Sequence, residues 1–338
     1  MQTLTQNMTT RCVGRYLIDM PEDIVLNSLG GEEIEEVTID IKPMEEATFM
    51  SLLANRKLEL ENETIDGQPK VHTLKDAKPI VGTNGLVFDR AESTGSNVLR
   101  VLELLAWRNG YFIKMTINGR DMSFSKGLGA HDTRKTTTPE KLAHLLDVFH
   151  RTKGRADDEI PAAQGVCIRN GFVSGPPTEQ EEVTTIYHLK TVDDVYFTVR
   201  TVSLFAEKNS LLDRDKDLAP VIAANGGRVL RKGHREVNGM KGQDYLQEYL
   251  YSILADPDTD RVRVMTHAFV FEANSRIGSA KTPIVTINFY NGTRKPERER
   301  RYDEEFPPLI KKATLSEAEA VALWDTVIPT VRPRPGAF

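Results

Sequence analysis

Two short segments constrain this chain more than anything else in it. One is Arg11-Cys12-Val13-Gly14-Arg15-Tyr16-Leu17-Ile18, near the N-terminus; the other, just past the middle, is Val166-Cys167-Ile168-Arg169-Asn170-Gly171-Phe172-Val173. They hold the only two cysteines and read as the opening strands of two related domains. A length of 338 residues agrees, since two domains of ordinary size each bury a core without staples. The cysteines form no CxxC, zinc pattern or dense disulfide framework. Each is therefore expected as a small buried hydrophobe in its strand, with a disulfide between them as the alternative.

The remaining pattern predicts an α+β fold of two related domains, each a mostly antiparallel sheet with packed helices. In the first half, Val37, Ile39 and Ile41 alternate as a strand, and Pro43 opens a helix over 43–60 carrying Phe49, Leu52, Leu53 and Leu60 on one face. Strands follow at 85–91 and 97–106, and Asn109-Gly110 marks a hairpin into 111–117. The clearest helix has Thr138 as N-cap, Pro139 at N1, and Leu142, Leu145, Leu146 and Phe149 on one stripe, with Gly154 as its left-handed cap. Residues 155–164 lack periodicity and read as a linker between domains at 11–154 and 165–330.

The second half repeats the plan, with strands at 182–189, 195–202, 261–273 and 283–290 and turns at Asn238-Gly239 and Asp256-Pro257-Asp258. A helix is expected over 206–225, closed by Gly226-Gly227. A last one starts at the capping box Ser316/Glu319, buries Ala320, Trp324, Val327 and Ile328, and ends at Pro329. Each half also has a strand ending in Asn-Gly (Asn118-Gly119, Asn291-Gly292), then a helix with Leu-Leu-Asp or Leu-Trp-Asp. The parallel points to an ancient duplication.

No catalytic machinery is legible. The nucleophile elbow, P-loop, dinucleotide fingerprint and H-E-x-x-H are all missing, so no catalytic residue, cofactor or metal is assigned. His144 and His150 stand six apart and point to different sides of a helix; His131-Asp132, beside Gly127-Leu128-Gly129, has no nucleophile. A net charge of -5 gives no case for nucleic acid, and the basic run 294–301 is diluted by Glu297 and Glu299 and reads as an exposed loop. No apolar run is long enough to span a membrane.

The acids are unevenly placed: between Asp19 and Asp66 lie 14 of them against 3 bases. Within this stretch Glu32, Glu33, Glu35 and Glu36 are the candidate partner-binding residues, able to steer a basic surface, though a solvated acidic face is the plainer reading. Two tethered domains without catalytic machinery favour a protein that works by binding a partner.

The segment Cys12-Val-Gly-Arg-Tyr-Leu-Ile-Asp-Met-Pro21 resembles the start of the Tli4-type immunity proteins of bacterial type VI secretion systems, in the form C-x-G-R-Y-x-[IL]-D-[LM]-P. Gly165 to Ser174 resembles the start of that family's C-terminal domain, and the likeness runs to about Ile328. It implies a non-enzymatic inhibitor whose partner is a cognate phospholipase effector of the α/β-hydrolase type, clamped by two domains so that lipid cannot reach the catalytic serine. It also implies a periplasmic location. Met1-Gln-Thr-Leu-Thr lacks the apolar core of a signal peptide, so an export segment would have to precede this sequence; without one the location would be cytoplasmic. An adaptor of the secretion apparatus and a hydrolase with an unfamiliar site are the alternatives.

Overall fold

The computed structural model describes residues 4–124, 134–254, 261–297 and 309–338. Gly127-Leu128-Gly129, His131-Asp132, Asp256-Pro257-Asp258 and residues 298–301 lie outside them.

From the N-terminus run β1 (Met8–Val13), β2 (Tyr16–Pro21), β3 (Ile24–Ile34), β4 (Val37–Pro43) and helix α1 (Glu46–Asn62). The hairpin β5 (Thr64–Ile65) and β6 (Gln68–His72) leads to β7 (Leu74–Pro79), β8 (Asn84–Ser93), β9 (Ser96–Arg108), β10 (Tyr111–Arg120) and α2 (Thr138–Arg151). Three short strands follow: β11 (Thr152–Gly154), β12 (Gly165–Ile168) and β13 (Gly171–Ser174). Next come β14 (Glu181–Leu189), β15 (Val195–Val202), α3 (Asp215–Ala224), β16 (Arg228–Val237), β17 (Met240–Leu254), β18 (Arg261–Ala273) and β19 (Ile284–Asn291). Helix α4 (Glu317–Val327) and β20 (Arg332–Pro333) end the chain. The expected α+β class is what the structure shows.

The contacts group these elements into two compact units that are not cut at one point. The larger holds residues 1–31, 157–168 and 176–338; the smaller holds 32–156 and 169–175. The two units interleave along the chain because of the N-terminal segment. Gly14 exchanges two backbone hydrogen bonds with Cys167, at 2.8 and 2.7 Å, which lays β1 beside β12. Cys12 and Cys167 then stand 5.7 Å apart at Cα and form a disulfide, so the expectation of two reduced buried thiols is corrected. Both cysteines lie in the larger unit.

Most residues of the opening motif serve this junction. Gly14 has φ +59°, and a Cβ there would stand 2.2 Å from Thr201 Oγ1, so only glycine fits. Arg15 is 2% exposed and grips Glu181 with two nitrogens, at 2.9 and 2.7 Å, while donating to the Pro176 carbonyl at 2.7 Å. Tyr16 is buried, and Asp19 accepts from Thr10 and Arg332. The segment expected as a linker is likewise pinned: Asp157 pairs with Arg11 at 2.9 Å, and the buried Arg334 donates to the carbonyls of Pro161, Ala163 and Gly165.

Within the larger unit six strands pair antiparallel in the order β16-β17-β18-β19-β15-β14, and β1-β2-β20 form a second sheet. One face of the six carries Phe197, Phe269 and Phe289 against Trp324 of α4, whose ring meets Phe269 edge-on at 5.9 Å. The Ser316/Glu319 capping box forms as expected. Helix α3 is shorter than the expected 206–225, and Gly226 with φ +66° follows it.

Within the smaller unit the order is β4-β10-β9-β8-β7. Phe49, Leu53 and Leu60 of α1 pack on Phe88, Leu105 and Phe112 from one side. From the other side α2 presents Leu145, Val148 and Phe149. Asn109 and Gly110, at φ 50° and 85°, make the predicted hairpin turn. Three helix-end assignments change. Pro43 ends β4 and α1 starts at Glu46, while α2 is preceded by Thr137, whose hydroxyl accepts from the Arg120 amide instead of capping the helix. Gly154 lies in β11, where a Cβ would come within 2.1 Å of the Tyr111 ring; close approach, not a helix cap, requires it.

Candidate functional site: an acidic turn and a tyrosine face

The four expected partner-binding acids fall at the end of β3 and the turn into β4, where their alternation decides their roles. Glu32 points inward, 3% exposed, with its carboxylate 3.5 Å from Arg169 Nε. Burial pushes its carboxyl up to about 7 against the attraction of Arg169. A side chain this deep presents no surface, which corrects its place among steering residues. Glu35 and Glu36 are the turn itself, at φ 54° and 68°, a region that disfavours glutamate. Helix α2 holds them there: Arg151 Nη2 meets the Glu35 carboxylate at 3.0 Å, Lys141 binds Glu36, and His144 Nε2 lies 2.7 Å from the Glu35 carbonyl oxygen. Glu33 is exposed on its strand, as Glu36 is on the turn, but unlike Glu36 it has no carboxylate partner among the described residues.

The second region is the other face of the six-stranded sheet. Register places Tyr196 opposite Tyr290 on β15 and β19, and Ala268 of β18 beside Tyr290. Gln247, Tyr249 and Tyr251 continue the same face on β17, and Thr184, Ile186 and His188 on β14. Five of the chain's nine tyrosines therefore share one face, Tyr245 at the corner under α3 and the other four beyond it. Tyr196 and Tyr290 stack at 4.8 Å with 22° between ring planes, and Tyr251 is 43% exposed. Burial pushes the Tyr196 hydroxyl up to about 12, with Tyr290, Tyr249 and Tyr251 adding to the rise; Tyr249 is raised by burial and then by Tyr290 and Tyr251. The four are one cluster.

Helix α3 covers only a corner of this face, where Ile222 and Leu211 pack on Tyr245 and Val270. Between Tyr251 and Thr184 no Asp, Glu or Lys projects from it among the described residues. The first charges met are at the rim: Arg200 bound to Glu182 at 2.7 Å, Glu272 bound to Arg214 at 2.5 Å, and, beside His188, the paired Lys295 and Asp193. Beside Arg200 the surface turns apolar. Leu204, Phe205 and Ile277 are 40%, 41% and 57% exposed, and the Arg200 guanidinium sits 6.0 Å from the centre of the Phe205 ring.

Sequence reasoning missed this face, although a signal for it was present. Tyr245, Tyr249 and Tyr251 recur at even spacing along one strand, and an aromatic with a polar tip suits a half-wet surface. Among the described residues no group of three His, Cys, Asp or Glu could hold a metal ion, and no helix is long and apolar enough to cross a membrane.

A two-unit α+β chain with a large neutral aromatic face belongs to the class of proteins that work by binding other proteins. Within that class, the chain belongs to the Tle cognate immunity protein 4 family: the family's N-terminal domain matches residues 9–155 and its C-terminal domain residues 159–336. It is an immunity protein, not an enzyme. Among solved structures it is similar to one described as the Tle4-Tli4 complex, at 21% identity and TM-score 0.69 over 98% of this chain and 99% of the other. It is also similar to the apo immunity protein TplEi of the type VI secretion system from Pseudomonas aeruginosa, at 20% identity and TM-score 0.68 over 98% of both chains. The same protein complexed with an "L" peptide matches at 20% identity and TM-score 0.65, over 98% of this chain and 99% of that one. A search of the curated proteins finds no match.

Proposed function

We propose that this immunity protein neutralises a cognate phospholipase effector of a type VI secretion system in the periplasm, by occluding the enzyme's entrance with surfaces from both of its domains. The observation that carries the reading is the family match over both halves of one chain, together with the similarity over nearly full length to a protein solved in complex with Tle4. Occlusion needs no chemistry from the inhibitor, only an interface of ordinary size: about 800 Å² per partner, with a few anchors inside a polar rim. The Cys12–Cys167 disulfide supports the periplasm, since such bonds persist in oxidising compartments and are rare in the cytosol.

The test is to co-purify the chain with the phospholipase-like protein encoded beside its gene and to measure lipase activity with and without one molar equivalent. A stable complex with activity abolished is the expected result. Intact activity with no complex would overturn the reading. For the location, cells challenged with the effector should survive when the chain is exported and die when it is retained in the cytosol.

A further inference from the structure

The geometry points to the tyrosine face of the larger unit, centred on Tyr249, Tyr251 and Tyr290, as the energetic centre of the contact with the cognate effector, received by a neutral protein surface rich in hydrogen-bond acceptors. This assignment rests on the immunity reading above. Its first support is charge. In a chain with 28% charged residues, the stretch of sheet from Tyr251 to Thr184 projects no Asp, Glu or Lys among the described residues. Loss of charge at the core of a surface, with tyrosine and arginine enriched around it, distinguishes the centre of an interface from ordinary solvent-facing surface.

The second support is a contrast within the same molecule. The strands of the smaller unit that α1 leaves uncovered carry Thr38, Asp40, Lys114 and Thr116, polar and charged positions of which Asp40 is ion-paired with Arg169 at 2.8 Å. The third is the apolar rim at Leu204, Phe205 and Ile277, which supplies desolvation at one end of the face. Charge complementarity then chooses the occupant. Among the described residues the face offers no unpaired cation to nucleic acid or an anionic headgroup, and a width of five strands, roughly 20 Å, suits a protein surface better than a small ligand. Phenol hydroxyls, Asn288, Gln247 and the threonines would meet carbonyls and hydroxyls of the effector, with the rings covering apolar contact.

The experiment titrates the effector encoded beside the gene against the wild-type chain, Tyr249→Ala/Tyr251→Ala, Thr198→Glu and the control Lys114→Ala, with thermal melts of each. The double tyrosine variant should bind at least 100-fold more weakly, and Thr198→Glu, which places one charge on the neutral face, at least 10-fold more weakly. Lys114→Ala should bind within twofold of wild type. Wild-type affinity should change less than threefold between 0.05 and 0.5 M salt. Wild-type-like binding by both face variants would overturn the assignment while leaving the immunity reading intact. If the wild-type chain itself neither binds nor inhibits the effector, that reading fails and this one with it. Thr198→Glu removes no packed side chain, so it decides the matter even if the double variant melts early.

Discussion

In the smaller unit α1 and α2 lie on opposite faces of a five-stranded sheet, and the positions left open on β4 and β10 are Thr38, Asp40, Lys114 and Thr116. In the larger unit α4 closes one face, α3 covers only a corner of the other, and the positions that reach the surface of that face include Tyr249, Tyr251, Tyr290, Thr198, Asn288 and His188, while Tyr196 and Thr266 are buried among them. Both sheets have the same half-covered design, so coverage alone does not mark a site. What separates them is the chemistry of the uncovered strands. Solvent-facing surface ordinarily carries charge, and the core of a protein interface is depleted of it.

The largest effects should come from the covered faces. Phe49→Ala in α1 and Trp324→Ala in α4 each remove a fully buried ring and should each cost about 3–5 kcal/mol in denaturant unfolding. Tyr251→Ala, on the open face, should cost less than about 1 kcal/mol. Equal losses would mean that the tyrosines are core, and the contrast between the two sheets would break.

Next is the cross-link that makes the larger unit discontinuous in sequence. Cys12→Ser/Cys167→Ser frees a loop of 155 residues and should lower stability by about 2–5 kcal/mol. The melting of the larger unit should fall while amide exchange in β8, β9 and β10 of the smaller unit slows or holds. A uniform loss across both units would show that they unfold as one.

A pH effect of about 3 kcal/mol, at 1.4 kcal/mol per pKa unit, belongs to the smaller unit. Glu32 in the fold holds its proton up to about 7, against an ordinary value of 4.5. A raised carboxyl stabilises the fold fully below about pH 4.5, and that contribution disappears as pH passes 7. Glu32→Gln should therefore match wild type near pH 4.5 and be the more stable of the two at pH 8. Parallel stability curves from pH 4 to 8 would show instead that Arg169 keeps the carboxylate ionised.

These outcomes bear on how much the sequence disclosed. Strands at 182–189, 195–202 and 261–273, the Asn109-Gly110 and Asn238-Gly239 turns and the Ser316 cap were legible because each depends on residues close in the chain. The disulfide, the inward turn of Glu32 and the sharing of the N-terminal segment with the second half depend on contacts more than a hundred residues apart. Local periodicity carries no record of those. The acidic run misled for a related reason: four glutamates look alike in sequence, yet one is buried, two form a turn held by Arg151 and Lys141, and one is exposed. The tyrosine face required the register of five strands before its members could be seen together.

The smallest effect separates the two units by rate. With Glu32 buried and Glu35 and Glu36 neutralised by α2, Glu33 is left to act on an approaching partner. One exposed charge acts over a Debye length of about 10 Å at 0.1 M salt, so Glu33→Lys should slow effector association only about twofold at low salt and not at all at 0.5 M. Its dissociation rate should be unchanged. Tyr251→Ala should do the reverse, speeding dissociation at every salt concentration while leaving association nearly untouched, because packed, desolvated anchors act after encounter. Stopped-flow association and dissociation rates for the two variants at both salts therefore test the contrast itself. If Glu33→Lys instead speeds dissociation, its strand makes direct contact with the effector, and the charged sheet is part of the interface rather than a surface facing water.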